Sequence, residues 1–149
     1  MKYGYDYIDG VKVPQMVVQS DFVIEGKHNG TVHVECGVLT IKGSLFGTLD
    51  VQKGSSVIIY GKQNGTVSVE DAARVIIYGE LNGTTSIMPG GQITVEQSGK
   101  LAGTCNNEGT VVIAGVFGGA QSGSGRWVLE ETGRIKQPQI KNSAYYYKW

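Results

Sequence analysis

Cysteine, proline and charge are all scarce in this chain. Its 149 residues include only 2 Cys and 3 Pro, charged residues make up 17%, and the formal net charge at pH 7 is zero. Each scarcity excludes something. Nucleic-acid footprints need clustered Lys and Arg, but the 13 basic residues are matched by 13 acidic ones, so no nucleic-acid partner is expected. Cys36 and Cys105 fall at unrelated phases of the repeat described below. That favours two buried free thiols in a reducing compartment over a disulfide or a metal pair. The segment Met1-Lys-Tyr-Gly-Tyr-Asp-Tyr7 has no apolar core of a secretory signal, and no run approaches the ~18 apolar residues of a membrane helix. The expectation is a soluble, cytoplasmic protein. No nucleophile elbow, phosphate loop or metal-spaced Cys/His cluster is present. No catalytic, cofactor or metal residues are therefore assigned, and the protein is expected to be non-enzymatic.

What the chain does have is repetition. Val57-Ile-Ile-Tyr-Gly-Lys-Gln-Asn-Gly-Thr66 returns as Val75-Ile-Ile-Tyr-Gly-Glu-Leu-Asn-Gly-Thr84, 18 residues later. Looser copies precede it at Ile24–Thr31 and Ile41–Thr48 and follow it at Gly99–Thr104 and Gly115–Gly119. A fixed period of this kind decides the fold before any local pattern does. Inside it, apolar residues alternate with polar ones, as in a strand with one buried face. Met16, Val18, Phe22, Ile24, Val32 and Val34 share even parity. Near Cys36 and Gly37 one residue is missing and the parity flips. From Leu39 the inward set is odd, running through Val57, Ile59, Val67, Val69, Val75, Ile77, Leu81 and on to Phe117, Trp127, Leu129 and Ile135. Several of these positions lie six apart, with Gln63 the exception, which predicts three six-residue sides and a triangular cross-section. Glycines at 43, 47, 61, 65, 79 and 83 supply corners. A two-residue shift between Gly83 and Gly103 keeps the parity and predicts a corner loop near Pro89–Gly91 or Gln97-Ser98.

These features predict an all-β, single-domain parallel β-helix: a triangular solenoid with about 18 residues per turn and six to seven turns. Residues 1–15 are expected to form an N-terminal cap, 16–136 the repeats, and 137–149 an aromatic C-terminal tail. Residues 118–125 are expected to be a flexible loop. The Asn-Gly pairs at 29, 64 and 82 predict an internal Asn ladder at one corner, with Asn in the left-handed region. A Thr column (Thr31, Thr48, Thr66, Thr84, Thr104) lacks the regular companion column an ice-binding face needs, since its neighbours are His33, Asp50, Ser68 and Ser86. Two histidines are available for chemistry of the hexapeptide-acyltransferase kind. His28 falls on an inward position, and His33 faces out beside Glu35, the placement of a solvated pair rather than a base.

The outward positions carry the functional expectation. Ile58, Tyr60, Ile76 and Tyr78 should form an apolar patch pointing away from the core, suited to a protein interface. Tyr145, Tyr146, Tyr147 and Trp149 extend it or cover it.

The pattern Leu45-x-Gly-Thr-Leu-x-Val51, closed by Val57-x-Ile-x-Gly61, resembles the core of the bactofilins, polymer-forming cytoskeletal proteins of bacteria. The resemblance covers roughly residues 22–119. It implies a right-handed helix and end-to-end polymerisation through the terminal turns. This chain departs from the family in lacking long disordered tails and in ending on aromatic residues. Short length, neutral charge and an outward aromatic patch point instead to a small bacterial inhibitor or immunity-type protein that masks a partner protein such as a toxin. The bactofilin-like scaffold is the alternative, and the partner is accordingly another protein or a second copy.

Overall fold

Alternating segments joined by glycine corners can satisfy their backbone groups by pairing with their own copies one repeat away, and that is the arrangement found. The computed structural model describes residues 5–8, 10–136, 139–141 and 144–146, with side chains described for 15–133. It is all-β: a parallel solenoid of about six turns stacked near 18 residues apart. An antiparallel hairpin, β1 (Tyr5–Ile8) and β2 (Val11–Pro14), precedes the coil, within the segment expected to be the N-terminal cap. A second, β19 (Gln139–Lys141) with β20 (Ala144–Tyr146), follows it.

The coil begins with β3 (Met16–Val18), β4 (Phe22–Ile24), β5 (Lys27–Asn29), β6 (Val32–Val34) and β7 (Val38–Ile41). It then settles into a long strand followed by a short one: β8 (Ser44–Val51) and β9 (Ser56–Ile59), β10 (Lys62–Val69) and β11 (Arg74–Ile77), β12 (Glu80–Ile87) and β13 (Gln92–Val95), β14 (Lys100–Asn107) and β15 (Thr110–Ile113). The last turn is β16 (Val116–Ser122), β17 (Arg126–Leu129) and β18 (Arg134–Lys136). The long strands stack into one sheet, which bends, and the short ones into another, which is flat: β4, β7, β9, β11, β13, β15 and β17 in order.

The bend sits at one glycine per long strand. Gly47, Gly65, Gly83 and Gly103 have φ of 145, 131, 121 and 98°, where a side chain is strained. A Cβ on Gly65 would also land on the Gly47 carbonyl oxygen beneath it. The bend makes three straight segments per turn, so the cross-section is triangular. The sides are not equal six-residue units, however: 62–64, 66–69 and 74–77 are separated by corners at Gly65, 70–73 and 78–79. At 70–73 the corner is a β-turn in which the Ala73 amide donates to the Glu70 carbonyl at 3.0 Å. Its third residue, Ala72 (φ 61°), stands where Gly54 and Gly90 stand in the turns on either side.

The missing residue lies where expected. Val34 pairs with Val51 but Val38 pairs with Ser56, so the corner at Glu35–Gly37 is one residue short. The two-residue insertion falls at the second of its two expected places. Ile77 pairs with Val95 and Glu80 with Lys100, which puts the extra residues at Gln97-Ser98 rather than Pro89–Gly91. There the Ser98 hydroxyl donates to the Tyr78 carbonyl at 2.9 Å. The same enlarged corner recurs at Glu130–Gly133, between Leu129, which pairs with Ile113, and Arg134, which pairs with Val116.

The interior is a stack of aliphatic columns. From Val32 to Phe117 the buried set follows the expected parity, most members having no accessible surface. Polar residues that entered the columns differ in how they are accommodated. Asn107 is fully bonded, donating to the Arg126 carbonyl at 2.9 Å and accepting from the Gly109 amide at 2.9 Å. Gln63 donates to the Gly47 carbonyl at 3.1 Å but leaves its own carbonyl oxygen unpartnered, as are the hydroxyls of Ser55 and Thr85.

Four expectations need correction. Phe22 and Leu129 lie on inward parity yet are 45% and 55% exposed, because β4 and β17 are the outermost strands of the flat sheet. Residues 118–122 are strand, pairing with β14, and only the stretch after Ser122 turns away. The Asn residues face outward, Asn29 being odd where the inward set is even and Asn64 and Asn82 even where it is odd, and the neighbouring glycines take the left-handed conformation, where Cβ crowding is absent. The ladder has a single rung, Asn82 Nδ2 to Asn64 Oδ1 at 3.1 Å, because Phe46 separates Asn29 from Asn64. Finally, Cys36 is exposed rather than buried, since the shortened corner places it at the surface.

Candidate functional site

Each strand of the flat sheet carries outward residues at its start, its middle and just past its end. The middle positions form one stripe: Val23, Thr40, Ile58, Ile76, Thr94, Val112 and Val128 stand in register. All seven are β-branched, the residue type that packs best on a pleated surface. Ile58 and Ile76 are half-buried by their stacked neighbours. At the strand ends Tyr60 and Tyr78 lie one above the other, ring centroids 5.0 Å apart and planes within 8°. They remain 53% and 38% exposed. The patch of Ile58, Tyr60, Ile76 and Tyr78 is thus assembled as the repeat implies. Tyr145 and Tyr146 fall on β20 with side chains outside the described residues, as are Tyr147 and Trp149 altogether.

The stripe's continuation through Thr94, Val112 and Val128 was missed. The signal is the repeat itself: Thr94 and Val112 follow Ile76 at successive intervals of 18 residues, and Val128, 16 residues after Val112, keeps their parity. Both edges beside the stripe carry charges of both signs: the start positions include Asp21, Arg74 and Arg126, and the end positions include Glu25, Lys42, Glu96 and Glu130. The enlarged corners at 96–99 and 130–133 flank the short Ala114-Gly115 corner and leave between them an open notch of about 390 Å³, lined by Glu96, Glu130 and Glu131 among others. Among the described residues no group of three or more His, Cys, Asp or Glu is placed to hold a metal ion.

The histidines are used in packing. His28 lies half-buried in register with Leu45. His33, expected beside Glu35, reaches across turns to other residues: its Nδ1 lies 3.0 Å from Asp50 Oδ2 and its Nε2 2.7 Å from Gln15 Oε1, and its side chain is only 12% exposed. Glu35 instead accepts a 2.8 Å bond from Gln19. Both imidazole nitrogens are engaged, so His33 clasps adjacent turns of the bent sheet. Cys105 is buried, and burial pushes its thiol up to about 12, because a thiolate would have to leave water. The described residues contain no helix long and apolar enough to cross a membrane. Family models, curated proteins and solved structures were all compared with the chain, and none matches it.

Proposed function

We propose that this solenoid is a non-enzymatic binding protein that holds a partner protein against the outer face of its flat sheet, most concretely as an inhibitor or immunity-type protein masking a toxin-like partner. The observation that carries the reading is the exposed Tyr60–Tyr78 stack beside a β-branched stripe. Stacked tyrosines are held rigid before any partner arrives, so docking on them costs little side-chain entropy, and their hydroxyls stay wet until a partner supplies a hydrogen bond. The face is also continuous and parallel-stacked, with a backbone fixed by ladder bonds above and below. The test is retention of the neighbouring gene's purified product on immobilised protein. Wild type should retain it and Tyr60→Ser/Tyr78→Ser should lose most of it; equal retention would refute the assignment of the face.

A bactofilin-like polymer is the second reading, and a specific observation favours it. The outermost strands expose inward-parity apolar residues, Phe22 at one end and Leu129 at the other. Unpaired strand edges carrying apolar side chains are a template for further pairing. Filaments in negative-stain micrographs that disappear with Leu129→Lys would support this reading.

A further inference from the structure

Away from the binding face, we propose that Asn29 is a site of spontaneous modification, where the chain closes a succinimide with Gly30 and reopens it as aspartate and isoaspartate. The sequence holds Asn-Gly pairs at 29, 64 and 82. In each, the glycine has no side chain to shield its nitrogen. That nitrogen attacks the Asn Cγ, forming an N–Cγ bond, while the side-chain amide leaves with a proton as ammonia. Water then opens the ring at one carbonyl or the other. One product is aspartate; the other is isoaspartate, with an extra methylene in the main chain. The glycine N–H must lose its proton to attack, so the reaction quickens as pH rises and requires that amide to be out of its hydrogen bond.

The fold separates the three pairs. Asn64 and Asn82 lie inside eight-residue strands paired on both sides, β10 with β8 and β12, and β12 with β10 and β14. Both are half-buried, and the bond from Asn82 Nδ2 to Asn64 Oδ1 ties their side chains together. Ring closure needs those side-chain torsions free. Asn29 instead ends the three-residue β5, which pairs with β8 alone in the first turn of the coil. It is exposed, and its side chain has no hydrogen bond among the described residues. Its remaining protection is the Gly30 amide, which donates to the Phe46 carbonyl at 2.8 Å. A short outer strand with one neighbour opens at lower free energy than a long strand between two.

The product forms where the turns lie close. Phe46 stands in register with Asn29 and carries the Lys27 ammonium 5.1 Å from its ring centroid. A carboxylate at 29, two residues from Lys27 on the same strand face, competes for that ammonium. The isoaspartate methylene shifts Gly30 against Gly47, whose Cα already sits so near the Gly30 carbonyl that no Cβ would fit. Modification therefore loosens β5 from β8 and opens a strand edge that carries the exposed Phe46.

The test is peptide mapping by mass spectrometry of the full chain aged in mildly alkaline buffer. Native protein should convert Asn29 about tenfold or more faster than Asn64 and Asn82, and the product should contain isoaspartate as well as aspartate. In urea the three pairs should convert at similar rates. Asn29→Ser should remove the early acidic species and leave the melting temperature of fresh protein unchanged, since the side chain is exposed. Equal rates at the three pairs in native protein, a product free of isoaspartate, or acidic species that form as fast in N29S each overturns the proposal. A preference for Asn29 that persists undiminished in urea overturns it too, because the cause would then be local sequence and not the fold.

Discussion

On the bent sheet the outward columns run Thr48, Thr66, Thr84, Thr104 and, beside them, Asp50, Ser68, Ser86, Asn106. On the flat sheet the middle column reads Val23, Thr40, Ile58, Ile76, Thr94, Val112, Val128, and the end column sets Tyr60 and Tyr78 between Lys42 and Glu96. Both sheets turn the same aliphatic columns inward, so the interior cannot account for the difference. Short hydroxyl and amide side chains leave the bent face well hydrated and bond along the stack, as Asn82 does to Asn64. The flat face keeps apolar surface in water that the fold does not need exposed. In a repeat protein the inward positions answer to stacking, whereas outward ones are free to vary. Where they become apolar and aromatic together, a contact outside the repeat is the physical reason.

If one interior serves both sheets, then an inward charge should be equally destructive in either. Val69→Asp in the bent sheet and Ile77→Asp in the flat one should each abolish the cooperative thermal transition, because a buried carboxylate there has no partner and costs several kcal/mol. One sheet surviving the change would show that the turns fold independently. The next effect belongs to the bend alone. Gly65→Ala forces a side chain onto the Gly47 carbonyl at φ 131°. It should cost about 3 kcal/mol or more, roughly 10 °C in melting temperature.

The outer faces should respond oppositely to matched changes. Tyr60→Ser/Tyr78→Ser should lose only about 1 kcal/mol, the value of the stack, while removing association. Thr66→Ser/Thr84→Ser on the bent face should leave association as it is. A large stability loss with the tyrosine pair would mean that they are structural. Gln63→Leu should raise stability by about 1 kcal/mol, since it removes an orphaned carbonyl oxygen and completes the column between Leu45 and Leu81. Chemical denaturation at constant slope would read this.

The smallest effect is alkaline. The Cys105 thiol is raised from 9.0 to about 12 by burial. Below pH 9 both folded and unfolded chains hold the proton. Between pH 9 and 12 the unfolded chain releases it first, so the stability contribution is lost as pH rises through that window. Cys105→Ala should shrink the fall in stability between pH 8 and 11. In native protein at pH 8 only Cys36 should react with a thiol reagent, and both cysteines after unfolding.

Much of this was legible in the residues. Parity from Leu39 onward located the inward columns, because a strand residue can face only two ways. The repeated Val-Ile-Ile-Tyr-Gly put Tyr60 above Tyr78 without any coordinates. What could not be read depends on which segments pair after the stride changes. The enlarged corner at 130–133, the exposure of Phe22 and Leu129, and the His33–Asp50 contact are all set by register between turns, not by local pattern. The left-handed corner fell on glycine rather than Asn because each bend lies against the carbonyl of the turn below, where only a residue without Cβ fits.

The most direct test of the flat face as the place of association is binding of the neighbouring gene's purified product to immobilised wild type beside Y60S/Y78S over a wide concentration range. Wild type should show saturable binding, while the variant, folded as judged by circular dichroism, should lose most of it. Indistinguishable binding by the two chains would contradict the account.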